Sequence, residues 1–100
     1  MGSNIELVAA DGHSLSAYRA DPEGDVPRGG IVVIQEVFGV NRHIRSVCEG
    51  FATAGYAVVA PALFDRLERG VELDYDEASL ARGRELRTAL GWERPVMDVA

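Results

Sequence analysis

Glu36 directly follows Ile31-Val32-Val33-Ile34-Gln35, a short β-branched apolar run without alternation, which reads as a strand buried on both faces of a parallel sheet. In open α/β sheets, ligands bind beyond the carboxyl ends of the strands, where loops gather and helix amino termini point N–H groups into the crevice. A carboxylate at that position is costly to bury unless it is hydrogen-bonded or used, which makes Glu36 the leading candidate for chemistry. The plainer alternative is a carboxylate that pairs with an arginine or satisfies loop N–H groups. Cys48 competes as a nucleophile, because Ser46-Val47-Cys48-Glu49-Gly50 is one residue away from a small-x-nucleophile-x-Gly elbow. An elbow needs a strand ending immediately before the nucleophile, whereas Cys48 falls in the middle of a helical pattern on its apolar stripe, where a free cysteine acts as a small hydrophobe. His13 lies just past a turn and His43 in the first turn of a helix, neither with a second ligand or base at useful spacing, so both are expected in surface or capping roles.

The elements that must position Glu36 follow from periodicity. Ile5 and Leu7, then Leu15 and Ala17, alternate with polar neighbours around Asp11-Gly12, which predicts an antiparallel hairpin. Residues 21–30, with two prolines and three glycines, read as a surface loop. After the 31–35 strand and a short loop, Asn41 can cap a helix carrying Ile44, Val47, Cys48, Phe51 and Ala52 on one stripe, with Gly55 as its left-handed stop. Tyr56 to Ala60 repeats the buried-strand pattern and halts at Pro61, completing a βαβ unit. Residues 62–75 form a charged loop without regular apolar spacing, and 76–90 a second helix with Leu80, Gly83, Leu86 and Leu90 along its stripe. Pro95, at a first helical position, opens a third stripe of Val96, Val99 and Ala100. The fold class is α/β, with a hairpin beside a parallel βαβ unit. An open parallel sheet needs both faces covered, and this chain offers only two clearly buried strands with a hairpin at one side, so residues 1–100 are expected to be the amino-terminal part of a single domain, with no second domain.

One hundred residues with 47% hydrophobic and 26% charged side chains suit a globular chain and exclude a disordered, charge-dominated one. Ten Arg and no Lys against sixteen acidic residues give a net charge of −6, which disfavours nucleic acid and anionic membranes as partners and leaves a small molecule. One cysteine and two histidines make neither an internal disulfide nor a zinc-finger-type metal cluster. No apolar run approaches the ~20 residues of a membrane span, and the amino terminus is neither basic nor apolar enough for a signal peptide, so the expected compartment is the cytoplasm. Met1-Gly2 opens a myristoylation pattern that Glu6 breaks. Gly29-Gly30 precedes the strand that a phosphate-cradling loop would have to follow, so no nucleotide cofactor is expected.

Gly30-Ile31-Val32-Val33-Ile34-Gln35-Glu36-Val37-Phe38-Gly39-Val40-Asn41, followed by Ala54-Gly55-Tyr56-Ala57-Val58-Val59-Ala60-Pro61-Ala62-Leu63-Phe64, resembles the dienelactone hydrolase family of α/β-hydrolases. The resemblance runs from the Asp11-Gly12 hairpin to Asp98-Val99-Ala100 and covers roughly the first two fifths of such a domain. It implies hydrolysis of a small ester or enol-lactone by a cysteine or serine on a strand-to-helix elbow, aided by an aspartate and a histidine, all beyond Ala100. It implies no cofactor. Glu36 matches the family glutamate that contacts the nucleophilic cysteine and helps generate its thiolate, and the Val37 N–H matches an oxyanion-hole donor. Phe38 matches a residue lining the substrate pocket, against plain aromatic packing. Ala81 stands where the family carries an arginine that grips the substrate carboxylate, with Arg82 and Arg84 nearby. Helical neighbours project about 100° apart, so Arg82 is weighed as a substrate contact against a solvated arginine on an exposed face. The rival readings are a non-catalytic fragment and a flavodoxin-like binding module, the latter requiring a complete five-stranded parallel sheet.

Overall fold

A computed structural model describes residues 2–24 and 26–100. Strands β1 (Gly2–Val8) and β2 (Ser14–Ala20) form the expected hairpin, with Ile5 opposite Ala17 and Leu7 opposite Leu15. Gly12, at φ +86°, turns the chain between them. The edge strand β3 (Gly30–Val32) leads through a loop to helix α1 (Arg42–Thr53) and strand β4 (Ala57–Pro61), which pairs in parallel with β3 and antiparallel with β2. The sheet order is β1-β2-β4-β3. This mixed sheet differs from the all-parallel sheet of a flavodoxin-like module, because the hairpin adds its strands in the opposite sense.

Helix α1 lays Ile44, Cys48 and Ala52 against Tyr18, Ala20, Val58 and Ala60 to form the main core. Of the stripe that its 3.6-residue period predicts, Ile44, Cys48 and Ala52 are buried while Phe51 stays 41% exposed, and Asn41 caps the helix through Oδ1, which accepts from the Ile44 N–H. The core covers one face of the sheet only. Val32 and Ile34 stay 45% and 52% exposed, which corrects the expectation of a 31–35 strand buried on both faces. The ladder ends at β3 and α1 lies on a single side, so alternate side chains of this edge strand face outward.

A second cluster joins Leu63 and Phe64 to Leu86 and Leu90. It is built by a 3-10 turn (Leu63–Arg66) and helix α2 (Glu77–Leu90), whose N-cap Asp76 accepts from the Ser79 N–H at 2.7 Å. The 3-10 turn lies inside the stretch read as an irregular loop, since four residues are too short for a periodic signal. Helix α3 (Glu93–Val99) buries Pro95 and Asp98, packs Val99 partly on the second cluster and leaves Val96 62% exposed, so the buried face is rotated away from Val96 in the predicted stripe toward Asp98. Electrostatics sets that rotation. Asp98 turns inward to meet the Arg66 guanidinium at 2.6 and 2.8 Å, and Arg66 also reaches both oxygens of Asp11 in the β1–β2 turn at 2.8 and 3.0 Å.

The Arg66 hydrogen bonds, followed by the His13 N–H, hold the Asp11 carboxyl down at about 2, against an ordinary 3.8. A depressed carboxyl contributes stability that is fully present above its ordinary value and is lost as pH falls through its folded value. Asp11→Asn is therefore expected to melt below the parent at neutral pH, with the gap closing as pH falls from about 4 to about 2. Thermal melts across that range check it, and a gap that stays constant would show that the carboxylate charge is not what binds Arg66.

Candidate functional site

The carboxyl end of β3 carries the candidate residues. Gln35 fixes the exit from the strand: its Oε1 accepts from the Leu63 N–H at 2.8 Å and its Nε2 donates to the Glu36 carbonyl at 3.1 Å. The chain then reverses within Glu36–Gly39, where the Gly39 N–H donates to the Glu36 carbonyl at 3.1 Å. Gly39 sits at φ +80°, and a Cβ there would lie 2.2 Å from the Val71 carbonyl oxygen, so conformation and space both require glycine. Val37 rests on α2 at Gly83, where a Cβ would come within 2.1 Å of the Val37 oxygen. The bare face of Gly83 sets the height of the loop above the helix.

Segment 71–75 holds the far side of the loop. The Leu73 N–H donates to the Phe38 carbonyl at 2.8 Å, and Gly39 bridges Glu72. Arg45 ties Glu72 to the Val40 carbonyl. Tyr75 donates to Glu36 Oε1 at 2.8 Å and stacks edge-on against Phe38, with ring centroids 4.5 Å apart. Glu36 itself is exposed, not buried as a residue following a fully covered strand would be, and it lines, with Ile34, Val37, Phe64, Leu90 and Trp92 among others, an apolar cleft of about 170 Å³. A carboxylate beside an apolar surface and a backbone loop can accept a proton from, or orient, a group brought against it.

Glu36 and Val37 both line this cleft, while Phe38, the next residue of the loop, packs edge-on against Tyr75. Arg82 is engaged elsewhere: its guanidinium pairs with Glu68 at 2.6 Å and Glu85 at 3.6 Å on an exposed face. Cys48 is fully buried under the sheet, where burial and then the Glu49 charge push its thiol up, away from the reactive thiolate. The His43 ring lies 6.3 Å from Tyr75, and His13 follows the hairpin turn. Among the described residues no three His, Cys, Asp or Glu side chains converge as a metal-binding set, and no helix is long and apolar enough to cross a membrane.

Sequence reasoning places Gln35 in the site region but misses its tether to Leu63, and it misses Tyr75 and the packing role of Gly83. Only Gly83 left a usable signal, a glycine on the buried stripe of a helix, which marks close approach by another backbone.

Residues 15–99 match the model of the dienelactone hydrolase family. Two relatives named carboxymethylenebutenolidase are similar: one from Azospirillum brasilense, 48% identical over 71% of this chain and 31% of its own length, and one from Synechocystis, 40% identical over 73% and 30%. Among solved structures, a dienelactone hydrolase from Klebsiella pneumoniae superposes with a TM-score of 0.67 at 29% identity, over 98% of this chain and 40% of that one. A dienelactone hydrolase-like promiscuous phosphotriesterase from metagenomic libraries gives 0.63 at 25% identity, over 98% and 41%. The chain spans less than a third of the length of these curated relatives.

Proposed function

Since the chain belongs to the dienelactone hydrolase family, we propose that the whole protein hydrolyses a small ester or lactone through a covalent acyl-enzyme. Residues 1–100 then form the amino-terminal part of one α/β-hydrolase domain. The elbow nucleophile, a cysteine or serine, comes from outside this segment together with its aspartate and histidine. Glu36 activates the nucleophile, the Val37 N–H receives the developing oxyanion, and Phe38 lines the substrate pocket. The observation that carries this reading is the Glu36–Phe38 loop at the carboxyl end of β3. Glu36 is exposed on it and lines an apolar cleft, at the sheet edge where an added strand would bring a nucleophile.

Arg82 has a lesser part in this reading, because Glu68 and Glu85 already hold it. An arginine that must grip a substrate carboxylate would have to leave both partners, so a neutral ester fits the site better than an anionic lactone. No cofactor enters the chemistry.

The test is to mix the whole protein with a small activated ester such as p-nitrophenyl acetate, quench early, and measure the intact mass. One acyl group per chain, mapped by peptide digestion to a cysteine or serine on an elbow outside residues 1–100, is the expected result. Turnover without an acylated chain, or an adduct on Cys48, would overturn the proposal.

A further inference from the structure

The hydrogen bonds around Tyr75 have a fixed direction. Asn41 caps α1 with its Oδ1, which accepts from the Ile44 N–H at 3.2 Å. That bond orients the amide, so its Nδ2 is the atom facing the Tyr75 oxygen at 3.3 Å and the Leu73 carbonyl at 3.2 Å. Against an N–H donor the Tyr75 oxygen can only accept, and its own proton goes to Glu36 Oε1 at 2.8 Å. The series runs from the α1 cap through a phenol to the candidate carboxylate.

Packing alone does not account for this tyrosine. Tyr75 is 60% exposed, and its ring contacts are the edge-on faces of Phe38 and His43. Its backbone neighbours Glu72 and Leu73 are already fastened to Gly39 and Phe38. The hydroxyl contributes something the ring does not. Partial burial, together with the facing Glu36 charge, pushes the phenol above its ordinary range, while the Asn41 N–H pulls it down. The hydroxyl therefore stays protonated and remains a donor at neutral pH.

We propose that Tyr75 is a positioning residue for the hydrolase reaction: it holds Glu36 by Oε1, in an orientation set by the Asn41 cap of α1, so that Oε2 faces the nucleophile. This rests on the role of Glu36 given above. A carboxylate on a loop can adopt several rotamers, and a charge-assisted hydrogen bond from a directed donor selects one of them before substrate arrives.

Tyr75→Phe in the whole protein keeps the ring against Phe38 and removes only the hydroxyl. Pre-steady-state acylation is expected to slow about tenfold at saturating ester, with KM and melting temperature unchanged. A second reading follows the phenol by ultraviolet difference titration, with Tyr75→Phe identifying its signal. In Glu36→Gln that signal should move to lower pH, because the charge that opposes ionisation is gone. If Glu36→Gln slows acylation while Tyr75→Phe does not, the positioning role is overturned and the Glu36 role stands. If neither variant slows it, both are overturned. A phenol titration insensitive to Glu36→Gln also overturns the proposal, whatever the kinetics.

Discussion

Gly83→Ala is expected to lower stability by about 1–2 kcal/mol and to slow acylation by the whole protein by about 100-fold, although position 83 bears no functional group. In most helices the same change stabilises by roughly 0.5–1 kcal/mol, because alanine restricts the unfolded chain and glycine does not. Here the added carbon would lie 2.1 Å from the Val37 oxygen and 2.9 Å from its carbonyl carbon. Backbone cannot yield as the end of a flexible side chain does, so α2 and the loop must part by on the order of 1 Å. The residue displaced is Val37, whose N–H is the proposed oxyanion donor, and a misplacement of that size is enough to cost about two orders of magnitude in rate. Gly50→Ala is the internal control. Gly50 is exposed in α1 with nothing within 4 Å of an added Cβ, so its melting temperature should rise while activity is unchanged. Melts and burst kinetics of both variants decide the matter: equal shifts in both would show that helix propensity, and not contact with Val37, governs position 83.

The contrast between these two glycines shows what a linear sequence conveys. Periodicity located α1, because Ile44, Cys48 and Ala52 repeat on one face and Asn41 is a recognisable cap. It located the hairpin and β4 for similar reasons, and the 30–41 and 54–64 stretches carry the family resemblance. The loop that carries Glu36 was legible as a place, but the means of holding it were not. Its supports are backbone bonds from Leu73 and Glu72, a staple from Gln35 to Leu63, and the hydroxyl of Tyr75. These pair residues 28–39 positions apart in segments with no repeating pattern, so no local rule announces them. The β3 edge and the rotation of α3 escaped for another reason. Both depend on what lies opposite: an open sheet face in one case, and the Arg66–Asp98 pair in the other.

Glu36→Gln is expected to slow acylation by about 10²–10⁴-fold, the usual worth of a positioned acid or base, without a change in melting temperature. The carboxylate is exposed and makes one side-chain hydrogen bond among the described residues, to Tyr75. A glutamine oxygen can accept that bond equally well, so the fold loses little. What disappears is the negative charge and the capacity to take a proton from the nucleophile. The rate must be read in the first turnover, since product release or deacylation can mask a slower chemical step. The pH dependence of the defect also identifies the nucleophile. If it is a cysteine, the thiolate forms unaided as pH rises past its ordinary ~8.5, so the defect should shrink there. If it is a serine, whose hydroxyl does not ionise in that range, the defect should persist across the alkaline limb. Unchanged first-turnover acylation at saturating ester would reduce Glu36 to a carboxylate that merely pairs with Tyr75. A lowered melting temperature with proportionate loss of activity would assign it to the loop's stability instead.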